Sequence, residues 1–466
     1  MTTVEDYLES HIGASVEILK EFCRIPSVST DPAFRADIQK AARFVAARLA
    51  EAGFASVELL ETGGHPAVFG EIIADENKPT ILVYGHYDVQ PPDPLDKWTT
   101  PPFEPTERDG RLYARGVSDD KGPLLIPILV AEAYLKTVGR LPVNLKILIE
   151  GEEESGSPHF EAALERYRER LACDLVVSAD GAMWRPDRPS MTVASRGLVA
   201  LEVTVTGAAK DLHSGRHGGS APNPIRALAQ MLATMHDADG RVVVAGFEDD
   251  ARPLDAKILA AIEAADFDAH AYYREIGSPT PDPIDSGREL LIRQWLEPTL
   301  EFNGISGGYQ GAGTKTVIPS SASVKITCRL VAGQKPEKVV SAITKHLEAG
   351  LPRGYTLQVD TKEPGSEAFF VDPDLPALAA AEAVLEELLG SRPLRVAMGA
   401  TIPIGAAFRK HLGVEAIFFS FSTSDEDYHA PNEFFRLANF RLGLIAWSRL
   451  LQRLGEPASA EGANQL

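Results

Sequence analysis

The residues of this chain that could do chemistry gather where short apolar runs stop. Thr80-Ile81-Leu82-Val83-Tyr84 ends at Gly85 and delivers His86 and Asp88 two residues apart, where a buried parallel strand would end and its loop begin. Leu145-Lys146-Ile147-Leu148-Ile149 runs into Glu150, Glu152, Glu153 and Glu154; Leu175-Val176-Val177-Ser178 runs into Asp180; Ala416-Ile417-Phe418-Phe419-Ser420 runs into Asp425, Asp427 and His429. Open α/β sheets keep their ligands outside the carboxyl ends of the strands. One such ending is chance, and four describe a site.

A histidine taken alone is more often a surface or structural residue than a ligand, but position sets His86 and His429 apart. Asp88, at i+2 from His86, can take the imidazole's second N–H and fix its tautomer. Glu150 to Glu154 read as a solvated acidic run in most settings. Here they lie between a strand and the helix-start signal Ser155-Gly156-Ser157-Pro158, and carboxylates gathered there need a cation. Asp119 and Asp120, in Gly116-Val117-Ser118-Asp119-Asp120-Lys121-Gly122-Pro123, make an ordinary turn sequence on their own, as does Asp180 in its loop.

Together these groups suit two divalent cations. Nitrogen and oxygen donors without thiolate are compatible with zinc, and also with manganese or cobalt. Three ligand carboxylates and one bridging hydroxide would cancel the charge of two divalent ions and leave a core that can be buried. Such a pair, roughly 3.5 to 4 Å apart, acidifies the shared water and polarises a carbonyl. One acid must stay off the metals to carry the proton to a leaving amine, and Glu153-Glu154 can supply base and ligand side by side.

The elements that would position these groups follow an α/β pattern. Residues 4–23 read as an amphipathic opening helix closed by Pro26, and 36–52 repeat the pattern up to Gly53. As far as Gly181, short apolar strands alternate with helical periods, which predicts an α/β domain. The proline-rich stretch 90–116 is a long loop joining His86 to the Asp119-Asp120 pair.

From residue 197 the texture changes. Strands over 198–206, 323–331 and 355–359 and helices over 224–235 and 336–347 describe a small α+β sandwich of the split β-α-β type, with a partly helical surface elaboration at 237–297. The α/β texture resumes with a helix over 375–389, a strand over 415–420 and a closing helix over 433–454. The expected organisation is therefore a catalytic domain in two parts, 1–196 and 366–456, an inserted domain at 197–365, and a disordered tail at 457–466.

Composition narrows the class further. The 466 residues are 44% hydrophobic and 24% charged, as a globular protein of two or three domains would be. No uncharged apolar stretch approaches the roughly 20 residues a spanning helix needs, and the start of the chain carries Glu5, Asp6 and Glu9 rather than a basic, then apolar, secretion signal. A cytoplasmic protein is expected. The formal charge of -20 argues against nucleic acid or an anionic membrane as partner. Three widely spaced cysteines, Cys23, Cys173 and Cys328, indicate neither a disulfide framework nor a thiolate metal site, and none has the context of a catalytic thiol.

Four segments carry a resemblance over almost the whole chain: Gly85-His86-Tyr87-Asp88-Val89-Gln90-Pro91, Trp98-Thr99-Thr100-Pro101-Pro102-Phe103-Glu104-Pro105, Glu150-Gly151-Glu152-Glu153-Glu154-Ser155-Gly156-Ser157 and Asp211-Leu212-His213-Ser214-Gly215. The chain resembles the co-catalytic dizinc peptidases and deacylases of the M20 type, and within them the carnosinase-like cytosolic dipeptidases. The resemblance implies a zinc-peptidase-like catalytic domain with a central mixed sheet, plus a ferredoxin-like lid and dimerisation domain. It implies that His86 and Asp180 bind one metal, that Glu154 and His429 bind the other, and that Asp119 bridges them with a cis peptide to Asp120. Glu153 would be the general base and then the acid, with Asp88 orienting His86. His213 would reach the partner subunit's active site in a homodimer formed through the inserted domain, while Arg329, Gly399 and Thr401 would hold the substrate's terminal carboxylate. Two places depart from the pattern: the middle of His429-Ala430-Pro431-Asn432-Glu433, and Gly399-Ala400-Thr401 where a Gly-Gly-Ser version occurs. Both bear on substrate preference and leave the ligands untouched.

The expected activity is metal-dependent hydrolysis of dipeptides or short peptides with a free C-terminal carboxylate. N-acyl amino acid deacylation on the same metal core is the alternative, and a non-catalytic binding protein that keeps the fold is a remote one.

Overall fold

The computed structural model describes residues 2–253, 256–281, 283–361, 365–399 and 403–456, so the expected tail at 457–466 and Thr401 lie outside the described residues. The chain divides into two compact units. The first gathers the chain up to Val193, Val371–Val396 and the chain from Ala407 onward; the second comprises Ala194–Phe370 and Ala397–Ala406.

The first unit is built on a six-stranded mixed sheet. In spatial order its strands are Ser56–Leu60, Ala67–Ile72, Asn144–Glu150, Thr80–His86, Leu175–Ser178 and Ala416–Phe418. The last four run parallel, and the first two form an antiparallel hairpin at one edge. Apolar runs without alternation make the parallel strands because both sheet faces are covered. Every residue of Asn144–Glu150 and Leu175–Ser178 is buried.

Register brings the strand ends level. His86 pairs with Glu150, and Tyr84 pairs with Ser178, which in turn pairs with Phe418. Asp180, two residues past Ser178, therefore leaves the sheet at the same edge as His86.

Helices complete this unit. Gly122–Thr137 is buried on nearly every side and packs on Leu437–Leu454, Val4–Ser10, Arg35–Ala52 and the strand Thr80–His86. Arg35–Ala52 stops at Gly53, whose φ of 100° closes it with a left-handed cap. The opening helix expected over 4–23 is two helices, Val4–Ser10 and Ile12–Cys23. The break falls at His11, whose ring bonds the Tyr7 carbonyl at 2.8 Å.

The closing helix begins at Leu437 rather than at 433. Phe434–Arg436 is instead a short strand paired with Arg111–Tyr113, which also pairs with Thr106–Arg108 inside the proline-rich loop. A partner more than 300 residues away overrides the local helical period.

The second unit is an antiparallel four-stranded sheet in the order Thr299–Gly307, Ser321–Leu330, Gly197–Thr206, Thr356–Asp360. Gly197–Thr206 alternates buried and partly exposed residues along its length. Its buried set meets Ala227, Leu228 and Met231 of the helix Pro224–Leu232, and Val339, Ile343 and Leu347 of the helix Pro336–Gly350. The described residues of the stretch 237–297 include three helices, Ala256–Ala264, Ala269–Glu275 and Gly287–Trp295.

No helix among the described residues is long and apolar enough to cross a membrane. Cys23 and Cys328 are buried, Cys173 is half-buried, and all three are free thiols.

Candidate metal centre

Four chain segments meet at the carboxyl edge of the parallel strands. His86 is the last residue of its strand and is fully buried. Its Nδ1 lies 3.0 Å from the Asp88 carbonyl oxygen and 3.4 Å from Asp88 Oδ1, so that nitrogen carries a proton and Nε2 faces the site. The Asp88 carboxylate also accepts the backbone N–H groups of Glu153 at 3.3 Å and Glu154 at 3.0 Å. One side chain thus fixes the histidine and both glutamates.

Asp119 stands between the histidines. Its Oδ1 is 2.9 Å from His86 Nε2 and its Oδ2 is 3.0 Å from His429 Nε2. Glu154 Oε2 is 3.1 Å from the same His429 nitrogen and accepts a hydrogen bond from Gln90 Nε2 at 2.8 Å. Ligand-type atoms of His86, Asp119 and Asp180 lie within 4.8 Å of one another, and so do those of Asp119, Glu154 and His429. Asp119 belongs to both groups.

The Asp119–Asp120 peptide is cis. Asp120 turns away from the groups and accepts the His86 N–H at 3.2 Å. This close packing requires a glycine before His86, because a Cβ on Gly85 would fall 2.6 Å from the Asp120 carboxylate. Gly116, at φ 78°, starts the turn that carries Asp119.

Other acids of the sequence motifs have other partners. Glu150 accepts the Tyr84 hydroxyl at 2.6 Å, and Glu152 lies 2.9 Å from His159 Nδ1. Asp425 pairs with Arg436 at 2.6 Å. Sequence position made these indistinguishable from Glu153 and Glu154, since a loop has no period to say which way each side chain turns.

The electrostatics fit a cationic occupant. Burial pushes Glu153 well above the usual carboxylate range, and Asp180 and Asp119 reinforce the shift against the pull of His86. Burial raises Glu154 to about 7 and Asp180 to about 6. Burial would also raise Asp119, but hydrogen bonds from His429 and His86 hold it below its ordinary value. His429 is pushed up to about 10 by its hydrogen bonds to Asp119 and Glu154. Burial opposes the charge on His86, yet Asp119 and Asp88 outweigh it and its pKa rises. Crowded carboxylates that hold protons, and imidazoles that take protons to offset them, are what a set of hard nitrogen and oxygen ligands does without its cation. The residues therefore fit a pair of divalent ions.

Residues 82–453 match Peptidase family M20/M25/M40. This chain belongs to that family.

Among family relatives, the Beta-Ala-His dipeptidase of Homo sapiens is 31% identical over 446 residues, spanning 92% of this chain and 88% of that protein. The Cys-Gly metallodipeptidase DUG1 of Saccharomyces cerevisiae is 30% identical over 476 residues, 98% of each chain. The crystal structure of Sso-CP2, an M20 family metallo-carboxypeptidase from Sulfolobus solfataricus, superposes with a TM-score of 0.83 at 29% identity, covering 95% of this chain and 99% of its own. The mixed α/β sheet with a smaller second unit is the architecture these family members share.

The remaining sequence candidates lie in the second unit. His213 is exposed at the end of the two-residue strand Leu212–His213, and its Nδ1 accepts the Gly215 N–H at 3.1 Å. Arg329 is half-buried on the strand Ser321–Leu330. Gly399 gives its carbonyl to Arg196 Nε at 2.8 Å. Burial, then the neighbouring Arg329 charge, lowers the Arg196 pKa to about 10.

Sequence reasoning passed over Arg115, Arg196, Gln90, Glu426 and Glu433. Glu426 and Glu433 stood in the acidic loop around His429, and only three-dimensional pairing shows what each one holds.

Proposed function

We propose that this chain hydrolyses the amide bond of dipeptides and short peptides that carry a free C-terminal carboxylate, with two divalent cations as cofactor, zinc foremost and manganese or cobalt as substitutes. The observation that carries the reading is the shared Asp119, with one oxygen toward each histidine. In this assignment His86 and Asp180 serve one ion, Glu154 and His429 the other, and Asp119 both. The names of the human and yeast relatives, both dipeptidases, support the substrate class.

When bound, the ions would lower the pKa of a water molecule and polarise the scissile carbonyl. Glu153 belongs to neither ligand group and is raised by burial, which suits an acid that must both take and return a proton. Its carboxylate is assigned the proton of the attacking water, which it then gives to the departing nitrogen. Asp88 keeps the His86 Nε2 lone pair facing the site and holds the Glu153 backbone.

For His213, the bond from the Gly215 N–H occupies Nδ1, so a neutral ring carries its proton on Nε2. That N–H is assigned to the developing oxyanion in the partner subunit's site. Arg329, Gly399 and Thr401 are assigned to the substrate carboxylate.

A homodimer through the second unit fits its edge strand Thr299–Gly307, which leaves Phe302 and Ile305 exposed beside unpaired backbone groups. Three free thiols fit a reducing cytoplasm.

The test is the initial rate on a panel of free-amine dipeptides and on the matching N-acetyl amino acids, with chelator and with zinc, manganese or cobalt. Dipeptide cleavage abolished by chelator and restored by metal is the expected outcome. Cleavage of the N-acyl series alone would make the chain a deacylase, and no turnover on either would overturn the hydrolytic reading.

A further inference from the structure

The loop that carries His429 contains three non-glycine residues in the left-handed region, Asp427 at φ 52°, His429 at φ 63° and Asn432 at φ 67°. Such a conformation persists only where the surroundings over-determine it. Here the loop is fastened on both sides of His429 to the segment that carries Asp119.

On the near side, Glu426 is fully buried and accepts the Ser118 hydroxyl at 2.6 Å. On the far side, Glu433 is 1% exposed and uses both oxygens twice. Its Oε2 accepts Arg115 Nη1 at 2.7 Å and the Gly116 N–H at 2.8 Å. Its Oε1 accepts the Ser118 N–H at 2.9 Å and the Asp119 N–H at 3.2 Å. Asn432 beside it takes the Thr99 N–H and gives its own amide to the Lys97 carbonyl, which fastens the proline-rich loop to the same point.

We propose that Glu433 is the positioning residue of the metal centre: through the Gly116, Ser118 and Asp119 N–H groups it sets where the Asp119 carboxylate stands relative to His429, and so sets the affinity for both cations. This rests on the reading of Asp119 as the shared ligand. A carboxylate is required because four donors converge on two oxygens. In Glu433→Gln the amide nitrogen would face two of those donors with hydrogens of its own, whichever way the group is turned. Outer partners of metal ligands are worth about 10–100-fold in metal affinity. Because Asp119 belongs to both ligand groups, both binding steps should weaken.

The experiment strips the full-length protein of metal and titrates Zn²⁺ into it against a competing chromophoric chelator. The proteins are wild type, Glu433→Gln, Glu433→Asp and, as a control, Glu382→Gln. Glu382 is a buried carboxylate paired with Arg395 at 2.5 Å on the helix Pro376–Leu389 and makes no bond to the ligand segments among the described residues. The expected result is two zinc ions in wild type, about 10–100-fold weaker uptake in Glu433→Gln, and uptake within about twofold of wild type in Glu382→Gln even if its melting temperature falls as far. Glu433→Asp keeps the charge for Arg115 but draws the carboxylate back by one methylene. Should Glu433→Gln fail to fold, the loss of affinity in Glu433→Asp is the same test. Unchanged affinity in the folded Glu433 variants, or an equal loss in Glu382→Gln, overturns the proposal. A wild-type protein that takes up no zinc overturns the metal reading beneath it instead.

Discussion

Asp119 and His429, 310 residues apart in the chain, meet with 3.0 Å between Oδ2 and Nε2, while the other oxygen of the same carboxylate lies 2.9 Å from His86 Nε2. A carboxylate is the smallest side chain that offers one acceptor in each of two directions. Asp119→Asn keeps the volume and loses one of them. The substituted protein should hold at most one tightly bound divalent ion after dialysis, and dipeptide turnover should fall by more than the about 10–100-fold that loss of an outer partner of a metal ligand costs. Elemental analysis beside the peptidase assay checks this; two retained ions would remove Asp119 from the bridging role.

Glu153 touches neither histidine, yet burial and the acids around it keep its carboxyl inclined to hold a proton. Glu153→Gln preserves shape and removes the exchangeable proton. The expected loss is about 10²–10⁴-fold in kcat with metal content unchanged. A variant that keeps its metals and turns over within tenfold of wild type would show that another group moves the proton.

The strand ends were legible because burial on both faces of a parallel sheet writes an uninterrupted apolar run, and the residues just after such a run sit at the sheet edge. His86, Glu150 and Asp180 are readable in that way. The direction in which each acid of a cluster turns was not legible. Glu150 and Glu152 read as part of the gathered carboxylates, and the structure gives them to Tyr84 and His159. Glu426 and Glu433 stood two and four residues outside the aromatic pair Tyr428-His429, and their work is to hold backbone and hydroxyl groups of 116–119. Pairing across more than 300 residues leaves no mark on local spacing. The same cause hid the strand Phe434–Arg436, which has the period of the helix behind it but pairs with Arg111–Tyr113.

Glu150 yields a stability prediction. Burial raises its carboxyl from about 4.5 to about 8, so the folded protein favours the neutral acid. That preference contributes stability in full below pH 4.5, and the contribution is lost as pH rises toward 8. Glu150→Gln is permanently neutral and still offers an oxygen to the Tyr84 hydroxyl. In metal-free protein the stability of Glu150→Gln relative to wild type should therefore climb between pH 4.5 and 8, at no more than about 1.4 kcal/mol per pH unit. Denaturant midpoints across that range supply the difference, and a flat difference would mean that Glu150 is ionised throughout.

Metal uptake should release protons, because the ligands hold them in the metal-free protein. Hydrogen bonds to Asp119 and Glu154 raise His429 to about 10, so at pH 7 its ring is an imidazolium. The stabilising contribution of that charge is complete below the ordinary histidine pKa of 6.5 and disappears as pH rises through about 10. Glu154, raised by burial to about 7, is partly protonated at the same pH. A divalent ion binds the neutral imidazole and the carboxylate, so each of these protons must leave when it binds. Calorimetric titration of zinc into stripped protein at pH 7, repeated in buffers of different ionisation enthalpy, should give at least one proton released per chain. Affinity should rise with pH from 6 to 9. In His429→Ala the release should fall by about one proton, because the group that binds it in the metal-free state is gone. Release of the same size in wild type and His429→Ala would place the proton elsewhere and take His429 out of the metal-binding set.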